Sequence, residues 1–149
     1  MNSNQAKTPI VAEFVLNQVE SRLNRETSKQ FADDELLLLY SIFGGVLQRA
    51  LDILEKYPII VAYCTVNKSR VLIEINGENS RRYRIFPRIN FCSCKAFKHQ
   101  VLEKNSQITC KHVLAGRIAL LLDKVSFSDV TEEQYLMLVQ SIYNLEESQ

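Results

Sequence analysis

The sequence predicts an α+β fold, a small antiparallel β-hairpin or sheet flanked by N- and C-terminal helices. Near both ends, apolar residues recur at every third or fourth position, as is typical of amphipathic helices. Between residues 59 and 75 the period changes to two and β-branched residues dominate, which indicates strands. Of the 149 residues, 46% are hydrophobic and 23% are charged, a composition that supplies enough apolar side chains for a globular core.

Residues 1–58 are predicted to be helical. Thr8-Pro9 can begin a first helix with proline at its first position, and valine then recurs at every fourth position from residue 11 to residue 19. The aspartate at position 33 or 34 can cap a second helix. Gly44-Gly45 should divide this helix, because each glycine weakens a helix interior by about 1 kcal/mol. Its continuation should end at Tyr57-Pro58, since the residue before a proline disfavours helical geometry.

Residues 59–124 are predicted to contain short strands followed by two helices. The strand candidates are Ile59–Val66, Arg70–Ile75, Tyr83–Phe86 and Arg88–Phe91. Helical spacing returns in Lys95–Lys104 and in Cys110–Lys124. Residues 125–149 are predicted to form a last helix from Thr131 to about Leu145, with Thr131 and Gln134 as a capping box. The three regions are expected to form one compact domain.

The ends and the apolar stretches predict a soluble protein of a reducing compartment. The N-terminus lacks the basic start and apolar run of a secretory signal. The longest uncharged stretch, Leu36 to Gln48, is shorter than the ~20 apolar residues that a membrane span needs. In a reducing compartment thiols bind metal more often than they form disulfides, so a disulfide framework is not expected.

Three of the four cysteines and one of the two histidines fall in two short pairs, Cys92-Ser-Cys94 and Cys110-Lys-His112. On a strand, residues two apart point the same way, so Cys92 and Cys94 can reach one ion from the end of a sheet. In a regular helix such residues diverge by roughly 200°, so Cys110 and His112 can share an ion only at an irregular helix start. Three thiolates and one imidazole make a closed tetrahedral set for one structural Zn²⁺.

Two further residues bear on this site. His99 follows Cys94 by five residues and could replace His112 as the nitrogen ligand, so this alternative stays open. Cys64 shares a strand face with Ile60 and is expected to be a buried, small apolar side chain. A catalytic thiol is less well supported, because the cysteines that neighbour a histidine are better used as metal ligands.

Basic charge is concentrated in one segment of the chain. Between Arg81 and Lys124 lie ten basic and two acidic residues, a balance of +8, whereas the remainder carries eight basic and fifteen acidic residues, a balance of −7. This asymmetry favours an anionic partner, although a basic face that attracts acidic helices of the same chain is the alternative. The candidate sequence-independent DNA phosphate contacts are Arg81, Arg82, Arg84, Arg88, Lys95, Lys98, Lys111 and Arg117. Among them, the aromatic Tyr83, Phe86 and Phe91 are expected to belong to the core.

The last helix carries apolar residues on more than one face. Tyr135, Leu138, Val139 and Ile142 form one stripe. Leu136, Met137 and Tyr143 project elsewhere, which makes them candidate partner contacts. The run Leu36–Leu39 likewise covers every side of one helical turn. For both helices, packing inside the chain remains the alternative to packing against another protein.

The zinc segment resembles a known family. The string Cys92-Ser-Cys-Lys-Ala-Phe97, then Val101-Leu-Glu-Lys104 and Cys110-Lys-His-Val-Leu-Ala115, resembles the SWIM zinc-binding domain. In particular, it is similar to the small SWIM-domain subunit of Shu-type complexes, the Sws/Shu family, whose signature includes the alanine at position 96. Specific similarity covers residues 91–116. The resemblance implies a zinc-bound ββα element, a nuclear location, and a heteromeric complex with a RecA-like recombinase paralogue in homologous recombination and DNA damage repair.

Three functional classes are compatible with these features. The first is a non-catalytic recombination accessory subunit, which contacts DNA directly or only through its complex. The second is a stand-alone nucleic-acid-binding zinc module in transcription or transposition, which would be expected to be basic overall. The third is an enzyme, which is disfavoured because the four glycines form no phosphate-binding loop and no Gly-Lys-Ser or Gly-Lys-Thr motif occurs. The acidic, leucine-rich helical parts favour the first class.

Overall fold

The computed structural model describes the backbone of residues 9–147 and the side chains of residues 9–142. Its α-helices are α1 (Ile10–Leu23), α2 (Asp33–Phe43), α3 (Gly45–Lys56), α4 (Lys111–Leu121) and α5 (Glu132–Glu147). Its strands are β1 (Ile60–Cys64), β2 (Val71–Asn76), β3 (Arg82–Ile85) and β4 (Val125–Asp129). A π-helical segment, Phe97–Glu103, lies between β3 and α4. The chain therefore has the predicted α+β class.

The three N-terminal helices follow the prediction closely. Helix α1 begins directly after Pro9, while Thr8 lies outside the described residues. The cap predicted at position 33 or 34 is wrong by one residue. Helix α2 includes both aspartates, and the backbone N–H of Ala32 donates to Glu35 Oε1 at 2.8 Å. Gly44 separates α2 from α3 as predicted, because its φ of 63° is a left-handed conformation that suits glycine.

The sheet has the strand order β3-β2-β1-β4. The β1–β2 and β2–β3 pairs are antiparallel, as predicted for the hairpin and the strand that follows it. Strand β4 was not predicted, and it pairs in parallel with β1, so the sheet is mixed. The strand predicted at Arg88–Phe91 is wrong, because this stretch is irregular. There the Asn90 side chain donates to the carbonyl of Ile108 at 2.9 Å.

The two faces of the sheet are covered by different elements. On one face, Ile60, Ile73 and Ile85 are almost completely buried. A methyl group added to Gly116 of α4 would touch Ile73 at 3.6 Å, so α4 packs closely against this face. The opposite face carries Arg84, whose Nη1 donates to Ser141 Oγ of α5 at 2.8 Å. The zinc-segment helix and the C-terminal helix thus lie on opposite sides of the sheet.

Helix α5 begins with the predicted capping box. The Thr131 N–H donates to Gln134 Oε1 at 2.9 Å, and the Gln134 N–H donates to Thr131 Oγ1 at 3.1 Å. Tyr135 and Ile142 are buried and the residues between them on the same stripe are half-buried. The predicted stripe therefore faces the protein. In the described part of the chain, no helix is both long and apolar enough to cross a membrane.

Candidate metal centre

The four predicted zinc ligands come together in one buried cluster. The ligand atoms of Cys92, Cys94, Cys110 and His112 all lie within 4.8 Å of one another. Cys92 Sγ is 3.7 Å from His112 Nδ1. Two sulfurs bound tetrahedrally to zinc at ~2.3 Å would be about 3.8 Å apart, so this spacing suits one ion. Four protein ligands also fill a tetrahedral zinc site, which is the arrangement of structural zinc.

Two of the thiols occupy equivalent positions at the start of helical turns. The N–H of Phe97 donates to Cys94 Sγ at 3.3 Å, and the N–H of Val113 donates to Cys110 Sγ at 3.5 Å. Backbone donors and the positive end of a helix both favour a thiolate. The strand-end position expected for Cys92 and Cys94 is wrong, since they come from the irregular segment that follows β3.

The nitrogen ligand is His112 rather than His99. His112 is buried in the first turn of α4, and its ring lies against Tyr83 with 4.2 Å between the ring centroids. The side chain of His99 is 51% exposed, and its Nδ1 lies 3.0 Å from Glu103 Oε2. His99 therefore lies outside the cluster. Cys64 is buried in β1 as predicted, with its Sγ 3.5 Å from Asp129 Oδ1.

The cysteine side chains cannot all ionise without a cation. Burial raises the pKa of the Cys92 thiol well above its usual value, and it raises the pKa of Cys110 to about 12. The pKa of Cys94 is strongly lowered, because the thiols of Cys110 and Cys92 hydrogen-bond to it. One thiolate is therefore stabilised by two neutral thiols. A bound zinc ion supplies the positive charge that lets all three act as thiolates, with release of protons.

A polar clamp beside the ligands was not predicted. Asn90 and Thr109 are both buried, and Thr109 Oγ1 donates to Asn90 Oδ1 at 2.7 Å. Asn90 comes two residues before Cys92, and Thr109 comes directly before Cys110. The clamp therefore joins the two ligand-bearing segments. Its signal in the sequence is a short polar residue just before each cysteine pair, a pattern too common to interpret alone.

Three of the predicted phosphate contacts are held by other side chains. Arg84 contacts Glu74 Oε2 at 3.2 Å beneath α5, and only 18% of its side chain is exposed. Arg117 makes a two-pronged ion pair with Glu13 of α1. Lys111 Nζ lies 3.6 Å from Glu78 Oε1. Part of the basic charge is thus balanced by acidic groups of the same chain.

The other five predicted phosphate contacts are exposed, namely Arg81, Arg82, Arg88, Lys95 and Lys98. Arg82 approaches Glu74 to 3.5 Å, but its side chain is 62% exposed. Tyr83 and Phe91 are buried and Phe86 is half-buried, as expected for core residues. The Phe91 ring meets Phe97 edge to face, with 5.9 Å between the centroids.

Comparison with known proteins agrees with this site. The SWIM zinc finger family matches residues 83–115, a range that contains all four ligands. The zinc finger SWIM domain-containing protein 7 of Danio rerio is 30% identical over 71% of this chain and 74% of its own length. The chain belongs to this SWIM zinc finger family. The resemblance to the Sws/Shu-type subunit is thereby confirmed, and the cluster is the SWIM site for one structural zinc ion.

Two further SWIM relatives have lower sequence identity, but they also match most of this chain. The Homo sapiens protein of the same name is 28% identical over 85% of this chain and 87% of its own length. The Dictyostelium discoideum homologue is 25% identical over 76% of this chain and 72% of its own length. The similarity thus extends well beyond the zinc segment. No solved structure matches the chain at a significant level.

Proposed function

We propose that this SWIM protein is a non-catalytic accessory subunit of a Shu-type complex, which promotes homologous recombination repair through a RecA-like recombinase and its paralogues. The observation that carries the proposal is the closed, buried Cys₃His site, because four protein ligands leave no position for a substrate or an activated water. The zinc then stabilises a surface instead of performing a reaction. Nucleotide chemistry belongs to the partner, since the glycines of this chain form no phosphate loop.

Apolar residues on the outside of α5 support a protein partner. Leu136 is 50% exposed and Met137 is 70% exposed, although both lie on a helix whose other face is buried. Large apolar side chains that face solvent side by side are typical of interaction sites. Tyr143, the third predicted contact, lies in α5 among the residues whose side chains are not described. In this proposal α5 contacts the RecA-like partner through its outer face.

In the proposed complex, the exposed basic residues of this chain contact DNA. Arg88, Lys95 and Lys98 make no hydrogen bond or ion pair through their side chains to the described residues, so they are available for phosphates. Arg84 and Arg117 are not, because breaking their ion pairs would leave Glu74 and Glu13 without those partners. Such contacts would be independent of DNA sequence and weakened by salt.

Co-purification from the extract of the protein's own cells tests the proposal. The tagged wild-type chain should retain a RecA-like protein in a stoichiometric complex, and the Leu136→Glu/Met137→Glu double variant should lose it. The matched control is Gln140→Glu, which adds negative charge at an exposed position of the same helix. Zinc content should be equal in all three proteins, since these positions lie outside the metal cluster.

Two results would contradict the proposal. One is a stable, freely soluble monomer that captures no recombinase-related protein. The other is tight DNA binding by the isolated chain with no partner, which would favour a stand-alone nucleic-acid-binding zinc module instead.

A further inference from the structure

Strand β4 forms one edge of the sheet. It pairs with β1 on one side, and four of its five residues are exposed. Its length is close to the mean for strands, and it contains no proline to block a further strand. An edge of this kind presents a row of backbone donors and acceptors that can pair with another chain.

The hydrogen bonds to β1 show which backbone groups of β4 point outward. The Ile60 N–H donates to the Lys124 carbonyl at 2.8 Å, and the Val130 N–H donates to the Cys64 carbonyl at 2.9 Å. Because bonding alternates along a parallel ladder, the even-numbered residues from 124 to 130 face β1. The N–H and C=O groups of Val125, Phe127 and Asp129 consequently face the free edge, where no other strand in the described part of the chain pairs with β4.

The sequence of β4 is nearly symmetric about its central residue. Val-Ser-Phe-Ser-Asp has Phe127 in the middle and a serine on each side. In an antiparallel pair of two β4 strands centred on Phe127, Phe127 faces its own copy, and Val125 faces Asp129 in both directions. All three outward-facing residues then lie in hydrogen-bonded positions. This register forms about six backbone hydrogen bonds, two at each of three opposed pairs.

Side-chain chemistry is compatible with the same register. Ser126 faces Ser128, a pair that can hydrogen-bond across strands. Phe127 is 38% exposed, and the pairing would give its ring an aromatic neighbour.

We propose that a second copy of this chain docks on the free edge of β4, which forms a two-fold symmetric dimer with a continuous eight-stranded sheet. The proposal is independent of the recombination function proposed above. One strand pair buries less area than the ~1,200 Å² of stable complexes, so the dimer should be weak and should form at micromolar or higher concentrations.

Sedimentation velocity of the zinc-loaded full-length chain over a concentration series tests this. We expect the mass to rise from 17.2 kDa towards twice that value as concentration increases. Phe127→Lys places two like charges opposite each other, so it should weaken dimerisation at least tenfold. The matched control is Phe14→Lys, which changes a phenylalanine that is 61% exposed on α1 and should leave dimerisation unchanged.

A charge-pair rescue identifies the register. Phe127→Glu alone should be monomeric, because two negative charges would lie opposite each other. An equimolar mixture with Phe127→Lys should dimerise again, because opposite charges then meet at the two-fold axis of the dimer. Val125→Pro provides a second variant that spares the β1–β4 bonds. It removes an outward N–H and should also weaken the dimer. Zinc content and far-UV circular dichroism verify that each variant is folded.

Three results would overturn the proposal. The first is a chain that stays monomeric at all accessible concentrations. The second is a dimer that both Phe127→Lys and Val125→Pro leave intact. The third is a dimer that Phe14→Lys disrupts, which would assign self-association to the outer face of α1.

Discussion

Tyr83 joins the sheet to the zinc site through its ring. The ring lies against the His112 imidazole, with 4.2 Å between the centroids, and only 9% of Tyr83 is exposed. The backbone of Gly77 also lies close to this ring. A Cβ at position 77 would lie 2.5 Å from Tyr83 Cε2, a distance that side chains do not tolerate. Glycine is needed at position 77 for space, since its φ of −109° suits any residue.

Gly77→Ala should therefore destabilise the protein by about 1–3 kcal/mol, the usual cost of overpacking a buried site. Because the displaced ring contacts His112, the variant should also release zinc faster to a chelator. The matched control is Gly116→Ala, which adds a methyl group at an ordinary contact distance of 3.6 Å from Ile73. Urea denaturation and chelator competition measure both effects. Equal behaviour of the two variants would refute the proposed role of Gly77.

For individual residues, the sequence predicted the metal ligands, because their chemistry depends on spacing along the chain. The Cys-x-Cys and Cys-x-His pairs could be recognised as metal ligands from the sequence, because few arrangements bring three thiols and an imidazole to one ion. The contacts of Tyr83 with His112 and Gly77 were not predictable. They join residues from separate elements, and nothing in the local sequence indicates which aromatic side chain will face the metal ligands.

The Glu35 carboxylate of α2 joins this helix to α1. Glu35 accepts from Arg22 Nε at 2.7 Å and Nη2 at 2.6 Å, and it also accepts the N–H of Ala32. Only 13% of the Glu35 side chain is exposed. The hydrogen bonds from Arg22 lower the pKa of Glu35 below its usual value. The ionised form of Glu35 therefore stabilises the folded state and the angle between the two helices.

Glu35→Gln should lower the free energy of unfolding at neutral pH by about 1 kcal/mol. A lowered folded-state pKa means that the contribution is complete above the ordinary glutamate value of about 4.3, and is lost as pH falls through the folded value. The difference between wild type and variant should consequently shrink in acid. Glu20→Gln, at an exposed position of α1, is the control. A difference that stays constant from pH 7 to pH 3 would contradict this assignment.

Most elements have a hydrophobic pattern of their own and were predictable from it, but β4 was not. Helices α1, α3 and α4 and the β1–β2 hairpin have enough periodic positions to set their type. Strand β4 has only five residues, and two of them are serines. Its hydrophobic pattern is therefore weak, and its pairing with β1 depends on tertiary contacts. The strand expected at Arg88–Phe91 failed because Asn90 and the cysteines after it form the irregular wall of the zinc site.

Across the whole molecule, the charge asymmetry has two origins. Arg117 pairs with Glu13 and Arg84 pairs with Glu74, so part of the basic excess serves internal contacts. Lys95 and Lys98, the lysines that follow the first cysteine pair, are exposed, and in the function proposed above they would contact DNA phosphates. Charge counted along the sequence could not separate these groups, because the acidic partners come from α1 and β2.

Zinc holds together parts of the chain that are distant in sequence. Cys92 and Cys94 lie after β3, while Cys110 and His112 begin α4, whose buried residues pack on the sheet. Without the ion, the three cysteine side chains and the imidazole would remain buried without the cation that binds them together. Metal removal should therefore unfold the region around the site instead of leaving an empty cavity.

The most direct test of this account is the zinc stoichiometry of the purified chain and of six single variants, measured by native mass spectrometry together with thermal unfolding. The wild type should carry one zinc ion. Cys92→Ala, Cys94→Ala, Cys110→Ala and His112→Ala should each lose it and unfold at much lower temperature. Cys64→Ala and His99→Ala should keep one ion. A wild-type chain that is folded and free of zinc, or a ligand variant that keeps its full zinc content, would contradict the structural zinc site.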